Sequence, residues 1–125
     1  MGVLSGLDEA KNEISNAETA FVGHLASSNL TMSTRSLPST NYYRIKFEYN
    51  IKSLKGTIPT TTEFDFQQIC RFENFIKEDG TKVTTSELKE PRVGQLYVAI
   101  YNTNEYTIET LIEINENDLL LLLQK

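Results

Sequence analysis

The chain has 125 residues, 39% of them hydrophobic and 23% charged, with a formal net charge of −5. That length fits one domain able to bury a core without metal or disulfide support. The lone cysteine, Cys70, excludes an internal disulfide, and the acidic balance, with nothing more basic than Lys52 and Lys55, weighs against a nucleic-acid partner, whose phosphates call for Lys and Arg.

The opening residues, MGVLSGLDEAK, lack a cationic stretch followed by a long apolar one. No signal peptide is expected in the chain as given, which makes a cytoplasmic location the default. Gly6 stands where a myristoylation signal calls for Ser or Thr. A helix is predicted over about 5–27. Ser5 is its expected cap, with Asp8 reaching back, and Asp8 and Glu9 suit the positive end of the helix dipole. Leu7, Ala10, Ile14, Ala17, Phe21 and Leu25 fall three and four apart and share one face. Residues 28–41 are rich in Ser, Thr and Asn and read as a loop, with a short strand at 30–33 as an alternative.

The period then changes to two. In NYYRIKFEYNI, Tyr43, Ile45, Phe47, Tyr49 and Ile51 take one face; Tyr42, Arg44, Lys46, Glu48 and Asn50 take the other. Gly56 and Pro59 mark a turn. Residues 62–77 read as a long strand, bulged in places, because Phe64, Phe66, Phe72, Phe75 and Ile76 favour strands. A helix capped by Thr62 and Asp65 is the alternative. Asp79-Gly80 between FIKE and TKVT is a hairpin signal. LYVAIY reads as a strand buried on both faces. YTIETLIEI alternates, with Tyr106, Ile108, Ile112 and Ile114 inward and Thr107, Glu109 and Glu113 outward.

The chain closes on NENDLLLLLQK. Five leucines fall far short of the roughly 20 apolar residues that span a bilayer as a helix. They read as a final strand, covered on one face by the sheet interior and on the other by the N-terminal helix or a partner chain. The expected fold is mainly β: an antiparallel meander forming a small barrel or strongly curved sheet, with one N-terminal helix. One domain covers 1–125, with the meander over 42–124.

FIKEDGTKV, GQLYVAIY, YTIETL and ENDLLLL, within residues 64–124, resemble the successive strands of small bacterial lipocalin-like (calycin) domains. That resemblance implies a barrel holding a small ligand. The first half lacks the Gly-x-Trp opening such domains usually carry. GQLYVAIYNTNEYTIETLIEI is also similar to the core of Tudor and SH3-like barrels, which would put Tyr97, Tyr101 and Tyr106 near an aromatic pocket.

Chemistry-bearing patterns are few. His24 is the only histidine and needs a positioned partner for acid–base work. Cys70 needs a neighbouring base to act as a nucleophile and reads as a core thiol. Ser86-Glu87-Leu88-Lys89 matches S-x-x-K without its companion motifs. Nucleotide-binding, nucleophile-elbow and zinc-protease patterns are missing from the sequence. Glu105, Glu109 and Glu113 share a strand face but stand about 13 Å apart at strand rise, too far to hold one ion. Asn29-Leu30-Thr31 is a glycosylation sequon, relevant only to a secretory chain. No cofactor or metal site is expected, nor an enzymatic activity.

Tyr43, Phe47, Tyr49, Phe64 and Tyr106 are the candidates for a ligand cavity; in a collapsed barrel the same residues are core. Phe21, Leu25, Leu119, Leu121 and Leu123 are the candidates for a docking surface. Two functions are expected from these readings. One is a calycin-like binding module for a small apolar ligand or peptide. The other is a structural or assembly subunit docking a protein partner through its helix or leucine-rich strand.

Overall fold

A computed structural model describes residues 2–34, 39–70, 73–76, 80, 82–85 and 90–124. Their elements are strand β1 (Gly2–Ser5), helix α1 (Leu7–Asn16), strands β2 (Thr19–Thr34), β3 (Ser39–Phe47), β4 (Lys52–Lys55), β5 (Glu63–Cys70), β6 (Glu73–Ile76), β7 (Lys82–Thr85), β8 (Leu96–Asn102) and β9 (Thr107–Glu113), and helix α2 (Glu116–Leu123). The fold is mainly β with an N-terminal helix, as the sequence patterning predicts.

Five strands close into a ring, β2-β3-β5-β9-β8 and back to β2, with β1 and β4 attached at its margins. Strands β8, β2, β3 and β5 stand in Greek-key order, the first of them arriving by a long connection. Most pairings are antiparallel, but β9 runs parallel to both β1 and β5. The sixteen residues of β2 serve three neighbours: Thr19–His24 pair with β8 and Ala20–Val22 also with β4, while Leu25–Thr34 pair with β3. The strand bends between them. Its register against β3 shifts at Leu25/Ser27 and at Leu30/Met32, and such bulges add the local twist that closing a small ring requires. Gly23 lies just before the first shift. A Cβ there would stand 2.8 Å from Ile51 Cγ2 and 3.3 Å from Phe47 Cδ1, so the bare backbone lets the β3–β4 turn pack onto the barrel.

The predicted helix over 5–27 is therefore corrected. Helix α1 stops at Asn16, and Phe21 and Leu25 belong to β2. A spacing of four satisfies both periods. Phe21, Gly23 and Leu25 alternate as strand residues equally well, and Val22 and Thr19 add β-branched character. The expected Ser5 cap is also corrected: Gly6 occupies the N-cap at φ 103° with no side-chain cap bond. At the other end Lys55 Nζ donates to the carbonyls of Ile14 and Ser15 at 3.1 and 3.2 Å, where a cation complements the helix dipole. Of the predicted loop over 28–41, residues 28–34 are likewise part of β2 and residues 39–41 the start of β3, while 35–38 lie outside the described residues.

Residues 63–70 and 73–76 are strands, so the strand reading of this region holds over the helical alternative. Strands β6 and β7 pair as a hairpin, with Gly80 at φ 84° between them. The Cys70 side chain and residues 86–89 of the S-x-x-K match lie outside the described residues.

The leucine run is a helix, which corrects the final strand. Asn115 accepts from the Asp118 N–H at 2.8 Å, while the Asp118 carboxylate accepts from the Asn115 N–H. This capping box fixes the start of α2, and leucine is among the better helix formers. Coiling splits the five leucines: Leu119 and Leu122 pack inward, while Leu120, Leu121 and Leu123 remain 60%, 50% and 43% exposed. The first turn is moored to β2 by His24, whose Nε2 lies 3.1 Å from Glu116 Oε1.

Two apolar clusters result, one on each side of the ring wall. Inside the barrel lie Phe21, Leu25, Tyr43, Ile45, Phe47, Phe64, Phe66, Tyr97, Ala99, Tyr101, Ile108 and Leu111. Outside it, Ala20, Val22, Leu96, Val98, Ile100, Ile112 and Ile114 meet Ala10 and Ile14 of α1 and Leu119 and Leu122 of α2. LYVAIY is buried on both faces, as expected: alternate residues face the barrel interior and the helices.

Tyr97 carries a polar group into the inner cluster. It is fully buried, and its hydroxyl accepts from the Arg92 backbone N–H at 2.9 Å. Burial raises its pKa above the usual tyrosine value, against the smaller opposing effect of Arg92; burial likewise raises that of Tyr101. In the unfolded chain both phenols ionise near pH 10. Above that pH the unfolded state binds fewer protons than the folded one, so stability falls as pH rises further. Urea midpoints measured from pH 8 to 11 should show this alkaline loss, and Tyr97→Phe should reduce its slope. Tyr97→Phe should also cost about 0.5–1.5 kcal/mol at neutral pH, because the hydrogen bond to the Arg92 N–H is lost. An unchanged alkaline slope in Tyr97→Phe would remove this residue from the account.

Candidate functional site

The five ligand candidates separate. Tyr43, Phe47 and Phe64 come together inside the barrel, at 6%, 1% and 2% exposure. Tyr49 and Tyr106 do not join them, being 93% and 73% exposed, which corrects their inward assignment. Strand β3 ends at Phe47, so alternation no longer governs Tyr49, which sits in the β3–β4 turn. Tyr106 precedes β9 with φ 59° and closes the β8–β9 turn, its N–H donating to the Asn102 carbonyl at 2.9 Å.

The interior is filled by aromatic contacts. Phe64 lies 5.4 Å from Phe21, 6.1 Å from Phe47 and 5.6 Å from Tyr101 between ring centroids. Phe21 meets Phe47 edge-on at 5.3 Å. Rings at these separations are in packing contact, so they act as core, with Tyr43 close to one end. Tyr97 and Tyr101 are part of the same interior, while Tyr106 is outside, so these three do not share a pocket.

The surface offers more. A groove of about 370 Å³ runs over β2, β3 and β5 and is lined by Thr31, Met32, Tyr42, Tyr43, Asp65, Phe66, Gln67 and Thr107. Cross-strand register builds it. Met32 pairs with Tyr42, and Tyr42 with Gln67, while Asp65 pairs with Thr107. The bulge at Thr31 turns its hydroxyl onto the Tyr42 carbonyl at 3.0 Å. Met32 is 54% exposed and Tyr42 half-buried. At one side Arg44 donates to Asp65 at 2.9 Å and to Glu63 at 3.3 Å. These bonds, Asp65 first, hold the guanidinium pKa further above its already high value. The Asp65 charge is thereby partnered, leaving a floor of aromatic and thioether surface edged by neutral donors and acceptors. Alternation had put Tyr42 and Arg44 on the outward face. An aromatic ring on that face was the sequence signal for this groove.

A second cleft of about 350 Å³, lined by Glu13, Asn16, Glu18, Asn102, Asn104 and Glu109 among others, is acidic. Glu18 accepts from Thr103 at 3.3 Å and Glu109 from Asn102 at 2.8 Å. No group of three or more His, Cys, Asp or Glu that could hold a metal ion occurs among the described residues. A third cleft, of about 550 Å³, lies beside Lys46, Phe47 and Tyr49 at the β3–β4 turn.

Of the docking candidates, Phe21 and Leu25 are core at 0% and 1% exposure and cannot form a surface. Leu119 is packed on the outer cluster, and Leu121 and Leu123 face solvent. No described helix is long and apolar enough to cross a membrane. His24 stands outside the barrel between carboxylates, with Nδ1 3.9 Å from Glu48 and Nε2 3.1 Å from Glu116. Compared with known proteins, the chain matches no family model, no curated protein and no solved structure.

Proposed function

We propose that this chain is a non-catalytic binding module that holds an extended peptide or a small apolar ligand in the groove over β2, β3 and β5. The observation that carries the reading is the contrast between the two sides of the ring wall. The interior is packed with rings, whereas the groove leaves Met32 half exposed beside Tyr42. Apolar concavities edged by a few polar groups are the usual form of such sites. The calycin-like expectation is kept as a binding barrel, with its ligand moved from the interior to the outer face.

Connectivity favours the same place. In five-stranded Greek-key barrels of the OB type, ligands lie across the second and third strands and the adjoining loops. The analogy bears on position alone. It does not extend to nucleic acid, given the net charge of −5 and an arginine beside the groove, Arg44, that is already engaged by two carboxylates. His24 is not among the residues lining the groove; its ring nitrogens face Glu48 and Glu116.

Native mass spectrometry of protein purified without detergent tests the proposal. The expected result is a monomer carrying excess mass of a few hundred daltons or a short peptide. Tyr42→Ala together with Met32→Ala should lower its retention at least about tenfold, since truncating anchor residues costs about 2 kcal/mol or more. Retention unchanged in that double variant, or a bare monomer from several preparations, would overturn the groove.

A further inference from the structure

The outer helical layer combines two features that the groove does not use. Leu120, Leu121 and Leu123 of α2 are exposed on a helix whose other two leucines, Leu119 and Leu122, are partly buried against the outer cluster. Helices α1 and α2, packed over the same outer cluster, carry Asp8, Glu9, Glu13, Glu116 and Asp118 against the one ammonium of Lys11. Lys55 of the sheet is occupied with the last carbonyls of α1.

We propose that this face docks a basic amphipathic helix of a partner protein. Its apolar side would lie on the exposed leucines, and its Lys or Arg residues would meet the carboxylates of the two helices. Helix-in-groove recognition works through apolar anchors three and four residues apart, and complementary charge sets which partner approaches. Charge also decides against two other occupants. A second copy would bring the same carboxylates and another net charge of −5, and an anionic membrane surface would be repelled. Glu116 meets His24 and Asp118 accepts from the Asn115 N–H at the start of α2.

The inference is independent of the groove and is tested on the full chain. The probe is a synthetic Leu/Lys amphipathic peptide of about four helical turns, roughly 14 residues, titrated calorimetrically. Its control is a scrambled peptide of the same composition. One-to-one saturable binding is expected, weaker for the scrambled peptide and weaker at high salt. Leu120→Ser with Leu121→Ser should reduce affinity at least about tenfold. Both side chains point to solvent, so an unchanged urea midpoint is expected in that variant. Glu9→Gln with Glu13→Gln supplies a second reading that leaves the leucines intact; it should lower affinity severalfold and flatten the salt dependence. Tyr42→Ala should leave peptide binding unchanged, which separates this face from the groove. Equal binding of the two peptides, equal binding by the leucine variant, or a concentration-dependent dimer that Leu121→Ser abolishes would each overturn the proposal.

Discussion

Phe64→Ala should be the most damaging single substitution in the barrel, costing about 3–5 kcal/mol. Phe64 is 2% exposed and meets Phe21, Phe47 and Tyr101 at once. Truncating it removes a ring and leaves a void that strands tied on both edges collapse into poorly. Domains of this size are stable by only about 5–15 kcal/mol, so the loss takes a large share of the total. Urea unfolding followed by tyrosine fluorescence reads the effect, since the chain has no tryptophan. The midpoint should fall while the slope stays the same. Tyr106→Ala is the control, because an exposed ring at a turn should change stability by no more than about 0.5 kcal/mol. A loss below about 1 kcal/mol for Phe64→Ala would mean that the interior is not packed as described, and would reopen the barrel as a ligand cavity.

The second large effect is a matter of backbone. Gly56 follows β4 at φ 71°, and a Cβ there would stand 2.5 Å from the Glu18 carbonyl oxygen and 2.8 Å from Thr19 Oγ1. Gly56→Ala therefore meets two penalties. The left-handed conformation costs about 1–2 kcal/mol, and forcing the chain away from a fixed carbonyl costs about 1–3 kcal/mol more. The carbonyl cannot move freely, because it lies at the entry to β2, where Thr19 and Ala20 already pair with β8. Gly94→Ala isolates the first penalty, since Gly94 has φ 89° and open space around it. Urea denaturation of the two variants should show Gly56→Ala the less stable by at least about 1 kcal/mol. Equal losses would show that the close approach to Glu18 carries no weight.

The functional proposals rest on surfaces, and surfaces were the least legible part of the sequence. Alternation in NYYRIKF marked Tyr42 and Arg44 as outward, yet nothing local said that Met32 and Gln67 would flank Tyr42. Those neighbours come from the register of β2 and β5 against β3, settled over separations of ten and more residues. Tyr49 and Tyr106 were misplaced for a simpler reason. Alternation holds only while a strand continues, and both residues sit in turns.

What the sequence by itself determined is the class of object. Period-two runs around Tyr43–Phe47 and Thr107–Ile112 dictate strands with an apolar side, the continuous apolar run Leu96–Tyr101 dictates a strand buried on both faces, and the acidic, Gly- and Asn-punctuated remainder dictates turns and solvated faces. Only the tertiary structure decided two ambiguous segments. Phe21 and Leu25 satisfy helical and strand spacing alike, and β2 formed because β8 and β3 offer a ladder on its two edges in turn. The leucine run has no period, so its neighbourhood chose for it. The sheet is already closed by β8 and β9, and the Asn115–Asp118 capping box starts a helix whose Leu119 and Leu122 cover the outer cluster. The remaining three leucines face out because a helix laid on a sheet buries one stripe and leaves the rest to solvent.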